Sequence, residues 1–264
     1  MTDTDDIPEE PVLLKDRTAI IYGAGGSVGG AIARAFAREG AVVHLAGRTA
    51  ATLHAVADDI AARGGEAHPA VVDALDEAQV EAHAATVAER SGRLDISVNV
   101  ISDQDVQGTP MVQMSVEDYL RPIEVAVRSK FLTARAAARR MIPRRSGVIM
   151  TFGGTFNWQV TRTFHVGGMG TTFDAVESMR RQLACELGPH GIRVLTLRTG
   201  GLPDTIPTDF PGSEGLRSWL QDQTLTGRTA TLDDVGNLAA FAASDLARTI
   251  TGAALNMTAG AVLD

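Results

Sequence analysis

Short runs of β-branched and apolar residues alternate along this chain with longer segments in which apolar residues return every three to four positions. The first run, Thr18-Ala19-Ile20-Ile21-Tyr22, leads into a helical pattern over 27–39; Val42-Val43-His44-Leu45 leads into one near 50–63, and Ala70-Val71-Val72 closes the set. This is a βαβαβ half. The rhythm returns with Ile96-Ser97-Val98-Asn99-Val100, a helix over 116–141, a strand over 147–152, a helix over 170–188, a strand over 192–197, a short helix over 231–243, and Ala253-Ala254-Leu255-Asn256. Near-continuous apolar strands separated by helices require a sheet buried on both faces. The pattern therefore predicts an α/β, Rossmann-type doubly wound parallel sheet with right-handed crossovers, in a single domain.

The ends and one long connection depart from the rhythm. Residues 1–12 hold Asp3, Asp5, Asp6, Glu9 and Glu10 with Pro8 and Pro11, too little apolar surface to offset the entropy of ordering, and are read as a flexible acidic tail to a domain over 13–264. The stretch 201–226, with Pro203, Pro207, Phe210, Pro211 and Trp219, is read as a substrate-covering loop. A net charge of −8 opposes a broad nucleic-acid or anionic-membrane surface, which leaves small molecules as the expected partners. No signal segment or long apolar span is evident, so a cytoplasmic protein is expected. A lone cysteine, Cys185, forbids an internal disulfide and is read as packed within its helix.

Candidate chemistry begins directly after the first strand, at Gly23-Ala24-Gly25-Gly26-Ser27-Val28-Gly29-Gly30. Glycines there permit a tight turn and let backbone N–H groups approach a pyrophosphate, while the following helix presents its positive end to the anion. The stretch resembles the phosphate loop of the short-chain dehydrogenase/reductase family, Thr-Gly-x-x-x-Gly-x-Gly, with Tyr22 and Ser27 in place of the threonine and middle glycine. Leu94-Asp95-Ile96-Ser97-Val98-Asn99 is similar to the family's fourth strand, with Val100-Ile101-Ser102 departing from the usual Ala-Gly continuation. Further likeness lies in Glu186-Leu187-Gly188-Pro189-His190-Gly191-Ile192-Arg193-Val194 and Thr251-Gly252-Ala253-Ala254-Leu255-Asn256. The resemblance implies a dinucleotide held by Gly23, Gly25, Ser27, Val28, Gly29, Arg48, Asp73, Ala74 and Asn99, with Asp73 toward the adenine. The second strand ends at Gly47-Arg48, where an NAD site places a carboxylate for the ribose hydroxyls; Arg48 suits a 2′-phosphate instead, so NADP(H) is expected over NAD(H).

The family's usual proton donor is a Tyr-x-x-x-Lys pair on one helix, in which the lysine lowers the phenol pKa. Counting back from Glu186-Leu187-Gly188 puts those positions at Met169 and Phe173, and counting from Phe131-Leu132-Thr133 puts the family's helix asparagine at Ala126. Neither Met169 nor Phe173 exchanges a proton. The remaining candidates are His165, one helical turn before Met169, and the hydroxyl of Thr155, since the serine position falls among Gly153, Gly154, Thr155 and Phe156; Lys130 shares a helix face with Ala126 but is read as solvated or subunit-facing. No metal-ligand spacing appears. Three readings stay open: an NADP(H)-dependent oxidoreductase on a small apolar carbonyl, alcohol or enone with a non-standard proton donor; a non-redox cyclase, isomerase or lyase; and a catalytically silent cofactor-binding protein. A homo-oligomer, tetramer or dimer, is expected because similar proteins pair the helices over 116–141 and 170–188, here carrying the small residues Ala134, Ala136, Ala137 and Ala175.

Overall fold

The computed structural model describes residues 12–156, 161, 164–209 and 211–263. Seven parallel strands, β1 (Thr18–Tyr22), β2 (Val42–Gly47), β3 (Glu66–Val71), β4 (Ile96–Asn99), β5 (Gly147–Gly154), β6 (Ile192–Thr199) and β7 (Ala253–Asn256), form one sheet in the order β3-β2-β1-β4-β5-β6-β7. The order reverses between β1 and β4, and such a switch point opens a crevice at the carboxyl ends of the strands. Strand alternation assigns the two cores. Ala19 and Ile21 join one apolar cluster with α1 (Ser27–Arg38), α2 (Ala50–Ala62) and α7 (Leu232–Ala243). Ile20 and Tyr22 point to the other, built with α3 (Glu77–Ser91), α4 (Val116–Met141) and the end of α5 (Met169–Leu187).

The expected parallel α/β sheet is present, with three local differences. Strand β3 starts at Glu66 and pairs with β2 from Val42↔Glu66 to Gly47↔Val71, longer than the apolar triplet suggests, because an edge strand needs only one paired side and tolerates Pro69 and polar positions. Helix α3 was not anticipated: its buried stripe is only Val80, Ala84 and Val87, yet Asp76 caps it by accepting from the Gln79 N–H at 3.1 Å. The 201–226 connection is no bare loop but contains a 3₁₀ turn at Pro203–Thr205 and a helix, α6 (Ser213–Asp222). Arg217 Nη2 ties this helix back by donating to the Ile206 carbonyl at 2.7 Å.

Cys185 is exposed rather than packed, since its side of α5 faces outward. Ala134, Ala136 and Ala137 are buried within the single chain, so they do not supply a small-residue face for a second copy. The acidic tail lies outside the described residues except for Val12, which is exposed. Among the described residues no helix is long and apolar enough to cross a membrane.

Candidate active site

The turn between β1 and α1 is shaped by two glycines. Gly23 has φ +88°, a left-handed conformation, and a Cβ there would press on the Val100 carbonyl group at 3.1 Å. At Gly29 a Cβ would collide with the Gly23 carbonyl and the Ala24 backbone, so the absent side chain lets the first turn of α1 lie against the loop. The N-cap of α1 is Gly26, which has no side chain to accept from the first-turn amides. Those amides and the positive end of a 12-residue helix therefore face outward beside exposed Ser27. Such a cradle fits a pyrophosphate.

Adjoining it, a cavity of about 730 Å³ opens over the carboxyl ends of β4, β5 and β6. Val28 forms part of its wall, so the turn and the cavity are continuous. The other walls are largely apolar: Phe152, Met169 and Phe173 from the sheet side and α5, Trp219 and Leu220 from α6, and Met257 beyond β7. Phe173 stacks on Phe156 with ring centroids 5.5 Å apart, and it lies so close over Gly154 that a Cβ there would meet its ring at 2.7 Å. The α6 segment supplies one side of this space through Leu216, Trp219 and Leu220.

Helix α4 pins the chain leaving β4 at two points. Asn99, buried, donates from Nδ2 to Thr133 Oγ1 at 3.0 Å and accepts from the Ile101 N–H at 3.0 Å. One helical turn earlier on the same face, Lys130 Nζ meets Asp103 Oδ1 at 2.7 Å. The Lys130 side chain is 1% exposed and that of Asp103 13%, and Asp103 lines the cavity. Burial pushes the Asp103 carboxyl above its usual value, the Lys130 cation opposes this, and Asp105 adds to the rise. Asp103 is the only ionisable side chain lining the cavity among the described residues.

The family model described as "Enoyl-(Acyl carrier protein) reductase" matches residues 23–261. The chain belongs to the short-chain dehydrogenase/reductase family. It is 33% identical to L-rhamnose 1-dehydrogenase (NAD(P)(+)) of Azotobacter vinelandii, across 94% of this chain and 98% of that one. It is 30% identical to D-threitol dehydrogenase of Mycolicibacterium smegmatis, across 94% and 93%. Among solved structures it resembles a short-chain type dehydrogenase/reductase from Mycobacterium ulcerans (TM-score 0.84, 26% identity, 94% of this chain and 90% of that one). A short chain dehydrogenase from Burkholderia cenocepacia in complex with NADP gives a TM-score of 0.79 at 28% identity, covering 94% and 98%. Kinship with oxidoreductases thus rests on nearly the whole fold.

Within this short-chain dehydrogenase/reductase the residues singled out from sequence fall into three groups. Gly23, Gly25, Ser27, Val28 and Gly29 form the turn and the first turn of α1. Arg48 is exposed just past β2 and makes no ion pair or hydrogen bond among the described residues, whereas Asp73 Oδ1 accepts from the Leu75 N–H at 3.0 Å and Ala74 is buried. Asn99 spends its side chain inside the protein, so it acts on the site by fixing the backbone at Val100 and Ile101. Thr155, Met169 and Phe173 all reach the cavity wall. His165 does not: its side chain is exposed and, among the described residues, only its carbonyl is engaged, by the Gly108 N–H at 2.8 Å, while neighbouring Phe164 lines the wall. Lys130 corrects the sequence reading, being buried rather than solvated, and Asp103 was missed altogether. The signal for both was weak, one lysine on an otherwise small-residue helix face and one aspartate four residues past a strand end.

Proposed function

We propose that this chain is an NADP(H)-dependent oxidoreductase acting on a small, largely apolar alcohol, carbonyl or enone with a non-standard proton donor. The observation that carries the reading is the continuity, through Val28, between an uncapped, glycine-shaped helix start and an apolar cavity at the sheet's switch point. A nicotinamide bound there would give or take the hydride. The chain's own part is to hold the phosphates on the first-turn amides, orient the substrate oxygen with Thr155, exclude water with its aromatic walls and move a proton. Arg48, exposed and without a described partner, supports a 2′-phosphate and hence NADP(H).

The same cavity argues for a substrate less hydroxylated than a sugar or polyol, the substrates named by the rhamnose and threitol relatives. Each hydroxyl buried against Phe152, Phe173 or Trp219 without a partner would lose about 1–3 kcal/mol. Met169 and Phe173 occupy the positions that the family resemblance gives to tyrosine and lysine, so the proton must pass through another group. A non-redox cyclase, isomerase or lyase is the second reading, favoured by those two apolar side chains on the cavity wall. Of the small residues expected at a tetramer or dimer contact, Ala134, Ala136 and Ala137 are buried in the single chain and Ala175 is half-buried; light scattering at micromolar concentration tests the oligomer.

Calorimetry separates the cofactor readings. NADPH should bind more tightly than NADH, and Arg48→Ala should erase most of that preference. Equal affinities in the unaltered protein would remove the NADP(H) assignment, and failure to bind either nucleotide would remove the cofactor. Turnover of an apolar alcohol and carbonyl panel with the bound cofactor then tests redox against non-redox chemistry.

A further inference from the structure

We propose that Asp103, held by the buried ammonium of Lys130, is the proton-exchanging group of the cavity, and that Lys130 is its positioning residue. The inference rests on the oxidoreductase reading above. Asp103 alone among the described lining residues carries an ionisable side chain; Thr155, Ser102 and Gln107 offer dipoles but no proton that moves near neutrality. It stands on the chain that leaves β4, directly past the Val100-Ile101 backbone that borders the Gly23 turn. The proton exchanger is therefore on the segment that joins the phosphate cradle to the substrate space.

The pair is built rather than incidental. Lys130 is almost wholly buried, and placing an ammonium there requires a compensating anion, which Asp103 supplies at 2.7 Å. Helix α4 fixes both ends of the segment, Thr133 at Asn99 and Lys130 at Asp103, so the carboxyl is set by two contacts one turn apart. Only one carboxylate oxygen meets Lys130, which leaves the second available to a ligand. The charged groups that act on Asp103 are Lys130 from α4 and Asp105 from its own loop. Burial raises the carboxyl above its ordinary value while Lys130 favours its ionised form, and an ionised carboxylate open to the cavity is what a general base needs.

In the oxidative direction the Asp103 carboxylate would take the proton of the substrate hydroxyl, while the carbinol hydrogen with its electron pair would pass to a bound oxidised nicotinamide. The substrate O–H and C–H bonds would break as C–O becomes C=O, with a new O–H bond on Asp103 and a new C–H bond on the hydride acceptor. The proton then passes to solvent. In reduction each transfer runs in reverse, with protonated Asp103 as the acid. Because Lys130 balances the carboxylate, the cavity favours a neutral substrate.

Carbon-13 NMR of unliganded protein carrying labelled aspartate carboxyls reads the group directly. One resonance, lost in Asp103→Asn, should titrate above the ordinary aspartate value of 3.8, and Lys130→Met should raise its midpoint further by removing the cation. If Asp103→Asn does not fold, Asp103→Glu deletes the same aspartate signal; if Lys130→Met does not fold, Lys130→Arg should keep the midpoint within about half a unit of the unaltered protein. A midpoint at the ordinary value overturns the proposal. In kinetics, kcat should fall by about a hundredfold or more in Asp103→Asn, with loss of the acidic limb of its pH profile, while His165→Ala keeps that limb. Transfer of the limb's loss to His165→Ala, or turnover within threefold in Asp103→Asn, also overturns it. If the folded, unaltered protein turns over no alcohol or carbonyl with either nicotinamide, the redox reading fails, and the NMR titration still decides Asp103.

Discussion

The two ends of the sheet handle charge in opposite ways. At the carboxyl ends, a cavity of about 730 Å³ carries one ionisable side chain among the described residues, Asp103, balanced by a buried cation. At the amino ends of β1, β2 and β3, a second cavity of about 630 Å³ is lined by Arg17, His44, Glu66, His68, His83 and other polar groups. There His44 lies 5.0 Å from His68 and 6.5 Å from His83, ring centre to ring centre. Burial, followed by its two histidine neighbours, lowers His44 to about 4, and burial alone lowers His83 to about 4. The first site keeps a charge inside by pairing it. The second holds the His44 ring buried and the His83 ring half-buried, where burial favours their neutral form, which suits stability at neutral pH and not proton exchange.

The largest effect should come from breaking the pair at the carboxyl end. Asp103→Asn leaves the Lys130 ammonium buried without its anion and should destabilise the fold by about 3–5 kcal/mol in denaturant titration. Adding Lys130→Met should recover much of that loss; equal instability of the single and double variants would show that the pair is not compensating. The amino end should respond to pH instead. His44 and His83 are lowered in the folded state, so the unfolded chain binds more protons between their unfolded and folded values. Their stabilisation is complete above about pH 6.5 and lost as the pH falls toward about 4, by about 1–2 kcal/mol per ring after solvent screening. Thermal melts in that window should flatten in His44→Leu with His83→Leu; an unchanged slope would separate the histidines from the acid response.

A smaller effect distinguishes the ends by ligand rather than by stability. Gly29→Ala puts a Cβ against the Gly23 carbonyl and should weaken NADPH about tenfold, roughly 1.4 kcal/mol, while leaving the histidine-dependent pH slope unchanged. Calorimetry reads the first and melts the second, and an unaffected affinity would detach the turn from the cofactor. The smallest change belongs to Met169→Leu, which conserves volume and removes no proton, so turnover should stay within a few-fold. A loss of a hundredfold there would give Met169 a part that packing does not explain.

Much of this molecule could be read along the chain. Strand runs and helical stripes set the element order, and the glycines after Tyr22 marked the turn because backbone geometry at Gly23 and Gly29 excludes a side chain locally. The apolar character of Met169 and Phe173 was equally plain. Helix α3 escaped because a stripe of three buried residues is a faint periodic signal, and β3 because an edge strand is only half buried. What the tertiary structure alone decided was the fate of charge. Lys130 looks like a solvated lysine until α4 lies against the segment after β4, and Asp103 looks like a loop carboxylate until that segment closes over the cavity. Periodicity is local and survives in the sequence, whereas the desolvation that turns a carboxyl into a proton exchanger depends on segments 27 residues apart meeting in space.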